Sequence, residues 1–456
     1  MSSPVAVPPS IGFAPGRLPL LGHAFALRYR PLEFLHTQRS KGDIVVFWIG
    51  PSRAYLVNSP DLIRQMLTTH RADFSKGGVI DIGRMLTGDG LISSDNDLHR
   101  KQRRLIQPAF HPHHFPAYTM IMQEAATTKV DSWQDNQVIR VDHEMHELST
   151  ATLVRCLYSG HLSDGTIGEI ARSLPVAFDG LGRRAALPFR WLHALPTPQN
   201  RRFNSAVDRL HRIVDQLITD RKAGGADQKD VLSILLTTRD EETGQAMPDQ
   251  QIHDEIMTLL VAGSDTTAVT LSWALHIIGA HPSIENKIHI ELQQVLGGRP
   301  VTHADLPRLD FLHRVVTETL RLYPPGWLVP RRATIDTDLG GHHITRGSYV
   351  FYSPYANHHD PLLFPGPERF DPDRWLPERA QPLPQCAYIP FGAGTRQCIG
   401  NTFAVTEVIA ALATILPRWR LRPHPDKPVR PHALTTLTPG RLPMITERRT
   451  GTIDKD

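Results

Sequence analysis

Residues 391–400 read FGAGTRQCIG, and an apolar run, NTFAVTEVIAALATIL, follows at 401–416. Glycines at 392, 394 and 400 let the backbone turn tightly and approach a flat partner closely. The run behind them has the length and residue types of a helix. Cys398 is therefore expected at a helix mouth, where backbone N–H dipoles lower a thiol's pKa. The thiolate, not the thiol, binds metal. Arg396, two residues earlier, is placed to pair with an acidic group on that partner. A buried thiol in an ordinary turn is the competing reading, and it is the expected fate of Cys156, inside ATLVRCLY, and of Cys386.

The chain around this loop has 456 residues, 40% hydrophobic and 21% charged, which is ordinary globular usage with material for a large core. A net charge of only +4 argues against nucleic acid as the main partner. Three scattered cysteines supply neither a disulfide framework nor a structural zinc site, and they fit a reducing cytoplasm. Histidines in HPHH, GHH and NHH fall in separate turns with no ligand pattern. The start, MSSPVAVPPSIGFAPG, is no signal peptide, and no apolar run is long enough to span a membrane.

Residues 43–58, DIVVFWIGPSRAYLVN, read as a hairpin around Gly50-Pro51. Residues 59–70 read as a helix capped by Ser59 with Pro60 at its first position. From 97 to about 280 the pattern is mostly helical, with joints at 184–198 and 223–227. Helix resumes over 284–323, and short strands follow at 336–354. The expected organisation is a flexible Pro-rich segment at 1–14, one domain over 15–446 and a flexible tail at 447–456. The fold class is mainly α with a small β part.

Two further stretches carry chemistry. DQQIHDEIMTLLVAGSDTTAVTLSWALHIIGAHP, 249–282, reads as one helix with Asp249 as its cap, ended by Gly279 and Pro282; about thirty residues would span about 45 Å. Gly263 costs about 1 kcal/mol there relative to Ala, and Ser264-Asp265-Thr266-Thr267 are poor mid-helix residues, so local unwinding at a functional site is expected. VVTETLRLYPP, 315–325, puts Glu318 and Arg321 on one helix face; alone, such a pair is usually a solvated surface contact.

Together these stretches resemble the signatures of the cytochrome P-450 family. FGAGTRQCIG is similar to its haem-binding loop, F-x-x-G-x-R-x-C-x-G. Glu318 and Arg321, with Arg369 in FPGPERFDPDRW, resemble its E-x-x-R and P-E-R-F elements. AGSDTT at 262–267 resembles its oxygen-binding groove. The resemblance implies the P-450 fold, a triangular prism of helices around haem b. Cys398 would be the axial iron ligand, with Phe391, Gly392 and Gly400 shaping the loop. His99 and Arg103, in DLHRKQRRLIQPAF, would meet the haem propionates together with Arg331 and Arg396. Glu318, Arg321 and Arg369 would form a buried charge network. Thr266 would bind oxygen and Asp265 would relay protons. Arg100, Lys101 and Arg104 are left as a basic patch, either a solvated face or a docking surface for an acidic electron donor.

The implied activity is insertion of one atom of O2 into a C–H bond by a cytoplasmic monomer. Electrons would come from a separate ferredoxin or flavodoxin with an NAD(P)H-dependent reductase, with no reductase fused to the chain. The family places Phe178, Leu181, Ala262, Gly263, Trp327, Leu328, Val329 and Leu437 around the substrate, Ala262 and Gly263 leaving it room. That lining favours an apolar guest. PPGWLVPR and LPTPQNRRFN resemble soluble bacterial enzymes that oxidise cyclic sesquiterpenes, which points to secondary metabolism. Fatty-acid and macrolide substrates, a peroxide-driven enzyme and a non-catalytic haem sensor stay open as alternatives.

Overall fold

The run at 43–58 folds as the expected hairpin, Ile44–Ile49 antiparallel to Ser52–Val57, with Gly50 at φ +60° in the turn. The computed structural model describes residues 10–158, 162–186, 193–224 and 230–449. The chain forms two compact units.

The first unit takes residues up to 82, then 326–370 and 377–398. Its centre is a six-stranded sheet in the order Ile11–Phe13, Ile44–Ile49, Ser52–Val57, Tyr349–Tyr352, Val329–Ala333, Phe74–Ser75. IVVFWI is continuously apolar because both faces of this sheet are covered. Val46, Tyr55, Val57 and Tyr352 pack on one side against Ile63 and Met66 of the helix Pro60–Leu67. Val45, Phe47, Leu56 and Phe351 pack on the other against Phe34 and Leu35 of Pro31–Arg39. Ser59 precedes Pro60 as expected, although its side chain makes no capping bond.

The expected N-terminal tail ends early. Residues 1–9 lie outside the described residues, but Ile11–Phe13 pairs in parallel with Ile44–Val46, and the Ser10 hydroxyl donates to Asp43 at 2.9 Å. At the other end, 450–456 lie outside the described residues. Arg448 is still a paired strand residue, opposite Trp419.

The second unit, residues 83–325, 371–376 and from 399 onward, is built on the helix Asp249–Ala280. Its 32 residues span about 48 Å. It is buried around most of its circumference, which explains a sequence with little amphipathic contrast. Val141–Leu157 and Asn401–Ile415 lie against it. A three-stranded sheet in the order Trp419–Pro423, Pro443–Arg448, Val138–Arg140 closes one side of this unit.

Three expectations about the long helix are corrected. Pro248 is its N-cap and Asp249 is its first helical residue. The helix is unbroken across 263–267, because the hydroxyls turn back on their own backbone: Ser264 Oγ donates to the Leu260 carbonyl and Thr266 Oγ1 to that of Ala262, each at 2.8 Å. Gly279 ends nothing: a Cβ there would lie 2.0 Å from the Leu421 carbonyl oxygen, so the glycine lets strand Trp419–Pro423 cross against the helix. Predominantly helical structure with minor sheet is the observed class. No helix among the described residues is long and apolar enough to cross a membrane.

Candidate active site

The first unit carries the cysteine loop. A single 3-10 turn, Gly394–Arg396, precedes Cys398, whose amide donates to the Phe391 carbonyl at 2.8 Å. Gly392 and Gly394 both sit at φ +69°, a region L-residues seldom adopt. A Cβ on Gly394 would also fall 2.3 Å from the Leu67 carbonyl oxygen, so helix Pro60–Leu67 buttresses the loop only because no side chain is there. Gly400 is the N-cap of Asn401–Ile415, which puts Cys398 just ahead of the helix mouth.

Cys398 is exposed, Cys386 is half-buried and Cys156 is buried. Burial pushes the Cys156 thiol well up, helped by Glu407, and burial also raises Cys386. Both are thereby held as thiols, as their apolar settings imply. Arg331, on strand Val329–Ala333, is buried; its Nη1 donates to the Pro330 carbonyl at 2.8 Å and its guanidinium stands 5.7 Å from the Tyr352 ring centre. Arg396 and Phe391 are half-buried in the loop. Trp327 and Leu328 pack on the Phe47–Phe351 side of the sheet, where the Trp327 carbonyl accepts from Ser353 Oγ at 2.7 Å, and Val329 packs on the opposite side.

The second unit carries the remaining residues. Helix Asn96–Ile106 holds His99, buried, and Arg103, half-buried, one turn apart. The basic patch beside them is partly neutralised: Arg104 donates to Glu242 at 2.6 Å and to Asp240 at 3.1 Å, and Arg100 pairs with Asp97 at 3.1 Å. Arg104 is thus a structural cation, and the patch is smaller than its sequence promised.

Glu318 and Arg321 have no solvent exposure. Arg321 grips the carboxylate with two bonds, Nε to Oε2 and Nη2 to Oε1, each 2.9 Å. Arg374 Nε donates to Oε1 at 2.9 Å, Trp375 Nε1 to Oε2 at 2.9 Å and the Asp371 amide to Oε1 at 3.0 Å. A charge this deep is tolerable only with its acceptor sites filled. Sequence reading named Arg369 as the third member and missed Arg374 and Trp375, a few residues on, which also bind the carboxylate. The signal was present in the same stretch, FDPDRW.

On the long helix, the Asp265 carboxylate accepts from Thr436 Oγ1 at 2.8 Å. Burial pushes the Asp265 carboxyl up, against the lowering effect of that hydroxyl. Sequence reading picks out Leu437 in this segment but not its neighbour Thr436. The same segment is held again at Leu437, whose carbonyl accepts from Trp273 Nε1 at 2.8 Å and whose amide donates to Pro325 at 3.1 Å. Segment 88–91 is tied down too, the Asp89 amide to Asp254 at 2.9 Å and the Leu91 amide to Glu255 at 2.8 Å.

Gly263 also has a packing role: a Cβ there would come within 2.8 Å of Leu153 Cδ2, so the glycine lets helix Val141–Leu157 lie close on that side. Ala262 next to it is half-buried, as are Phe178 and Leu181 on helix Asp164–Ala186, while Leu437 is fully buried. Among the described residues, His143, Glu144 and Glu147 alone group as possible metal ligands, and the Lys129 ammonium already sits 2.7 Å from Glu147.

The cytochrome P-450 family model matches residues 13–445. The chain belongs to the cytochrome P-450 family. This P-450 is 45% identical over 448 residues to a cyclooctat-9-en-7-ol 5-monooxygenase of Streptomyces melanosporofaciens, spanning 98% of this chain and 97% of that one. A cyclooctatin synthase of the same organism is 44% identical over 437 residues, 96% of this chain and 95% of the other. A pentalenene oxygenase of Streptomyces avermitilis is 38% identical over 441 residues, 96% and 98% of the two chains. Among solved structures, the haem domain of cytochrome P-450DA matches with a TM-score of 0.87 at 25% identity, over 97% of this chain and 99% of that one. The protein is a haem-thiolate monooxygenase.

Haem b is the group this family implies, and the residues present fit it. The exposed cysteine is the one that follows two glycines in the left-handed region, while the other two are held as thiols. Cations suited to carboxylates, Arg331 and Arg396, lie in the same unit as that cysteine.

Proposed function

We propose that this P-450 hydroxylates a cyclic terpenoid. The observation that carries the reading is end-to-end similarity, at 38–45% identity, to enzymes named for oxidation of cyclooctat-9-en-7-ol and pentalenene. The apolar character of Phe178, Leu181, Ala262, Trp327, Leu328, Val329 and Leu437 supports it, since such linings favour guests with few polar groups.

In this reading Cys398 holds the haem iron, with Gly392 and Gly400 shaping the loop. Arg331, Arg396, His99 and Arg103 hold the propionates as charge-assisted donors. Thiolate-ligated haem supplies oxygen activation. Asp265 holds and moves a proton at its carboxylate, which burial has made more basic and Thr436 orients. Thr266, its neighbour, would relay the proton at its hydroxyl, Oγ1 accepting one proton as it gives up the one it now donates to the Ala262 carbonyl, so that the side chain ends neutral. Electrons come from a separate ferredoxin or flavodoxin served by an NAD(P)H-dependent reductase.

The test is a titration of haem-loaded protein, followed by the shift of its Soret band, with a panel of cyclic terpene hydrocarbons and alcohols, fatty acids and a macrolide. Terpenoids are expected to give saturable shifts, and the best binder a hydroxylated product with ferredoxin, reductase and NAD(P)H. Saturation by fatty acids alone would remove the terpenoid reading. Turnover with peroxide but never with the redox chain would reassign the electron source.

A further inference from the structure

Helix Pro198–Gly224 carries His211 and Asp215 four residues apart, hence on one face, and the long helix Asp249–Ala280 carries His253. The three meet within the second unit. His211 Nδ1 lies 2.7 Å from His253 Nε2, and His253 Nδ1 lies 2.7 Å from Asp215 Oδ1. The two ring centres are 5.0 Å apart and the ring planes differ by 12°. With the nitrogens 2.7 Å apart, those values put both of them on the line joining the rings. The imidazoles therefore meet edge to edge, each inner nitrogen aimed at the other. His253 is buried, His211 half-buried and Asp215 exposed.

A proton count decides what fits between the rings. A neutral imidazole carries one N–H, and a carboxylate only accepts. Asp215 therefore draws the His253 proton to Nδ1 and leaves Nε2 with a bare lone pair. At the far end, His211 Nε2 faces the Met85 carbonyl, another acceptor, at 3.4 Å. If His211 donates there, its Nδ1 is bare too, and two lone pairs oppose each other at 2.7 Å. If it donates to His253 instead, its Nε2 lone pair faces the carbonyl oxygen. Either neutral tautomer leaves two acceptors opposed. A cation held between the inner nitrogens satisfies all three contacts at once.

The outer partners name the cation. A histidine that binds metal through one nitrogen characteristically donates its other N–H to a carboxylate or a backbone carbonyl, and this pair has one of each. Neutral imidazole suits zinc and its neighbours in the first transition row. Zinc bound at about 2.0–2.1 Å in tetrahedral geometry needs its nitrogens about 3.3 Å apart, so the rings must part by about 0.6 Å. The half-buried His211 side chain can move that far, and water can reach the remaining positions on its side. The trio His143, Glu144 and Glu147 has more ligands but less need of an ion, since the Lys129 ammonium lies 3.3 and 2.7 Å from its two carboxylates. An ion at the histidine pair would also restrain more than two side chains. A Cβ on Gly180 would lie 2.1 Å from the Phe203 ring, so helix Asp164–Ala186, which carries Phe178 and Leu181, is packed on the helix that the ion would fix.

We infer that His211 and His253 form a binding site for a divalent ion of the zinc type, with Asp215 orienting His253, and that the ion clamps helix Pro198–Gly224 to the long helix. The inference does not depend on the terpenoid reading. The test is a Zn2+ titration of the haem-loaded full chain, EDTA-treated and free of any histidine tag, in competition with a chromophoric chelator. One equivalent is expected to bind more tightly than any other, and X-ray absorption at the zinc edge should show two imidazole nitrogens at about 2.0 Å. His211→Gln, at a half-buried position, keeps the fold and should weaken that equivalent at least about a hundredfold, and Asp215→Asn about tenfold. His143→Gln should leave it unchanged. Zn2+ should raise the urea midpoint of the wild type but not that of His211→Gln. A tightest equivalent that survives His211→Gln, or that is lost with His143→Gln, would overturn the inference. So would fewer than two imidazole ligands at the zinc edge. Failure of the wild type to bind Zn2+ at all would also overturn it and leave a shared proton as the cation between the rings.

Discussion

Removing the Glu318 carboxylate tests the internal charge cluster most directly. Glu318→Ala takes away the acceptor for two bonds from Arg321 and one each from Arg374, Trp375 and the Asp371 amide. Arg374 keeps 12% side-chain exposure and can turn towards water, but Arg321 has none and would stay charged without the Glu318 carboxylate. Breaking a buried pair from one side costs about 3–5 kcal/mol, a factor of roughly a hundred to several thousand in the folding equilibrium. The assay is urea unfolding followed by far-UV circular dichroism, with haem content read in parallel. A fall of about 3–5 kcal/mol at unchanged m-value is expected, with loss of haem incorporation. The double variant Glu318→Leu/Arg321→Leu should recover part of the loss, because it removes the stranded charge as well as its partner. A single-variant loss below about 1 kcal/mol, or a double-variant loss equal to the sum of the two singles, would refute the reasoning.

Other consequences follow from single contacts. Gly279→Ala must push strand Trp419–Pro423 away from the long helix, since the new Cβ meets backbone at 2.0 Å; a loss of about 1–3 kcal/mol in urea melts is expected despite alanine's better helix propensity. Glu407, fully buried, has its carboxyl raised by burial to about 8, opposed by Ser149. Its folded pKa lies above the unfolded one, so its contribution to stability is complete below about pH 4.5 and is lost as pH rises through about 8, by up to about 1.4 kcal/mol per pH unit. Glu407→Gln should flatten the pH dependence of the urea midpoint over that window. Thr436→Val deletes the hydroxyl that lowers the Asp265 carboxyl against burial, so any limb of the pH–rate profile governed by Asp265 should move to higher pH, with folding stability little changed.

Much of the site was legible because its signals are local. The glycines at 392 and 394 are demanded by backbone angles within the loop itself, and the Glu318–Arg321 pair by the pitch of a single helix turn. The hairpin at 44–57 follows from two β-branched runs about a glycine. Family spelling then converted the cysteine loop into a haem-thiolate expectation, and the match over residues 13–445 bears the family out.

The sequence by itself therefore determined the elements whose partners lie within a few residues: the cysteine loop, the hairpin, the long helix and the paired charges at 318 and 321. Tertiary structure alone decided which distant groups meet them. It chose Thr436 for Asp265, Leu153 for the space at Gly263, Leu421 for the bare face of Gly279, and Arg374 with Trp375 for Glu318. Local pattern reports backbone preference and burial, but a hydroxyl or a glycine looks alike whether it serves chemistry or packing. Only the chain segment that closes over it, tens or hundreds of residues away, settles which.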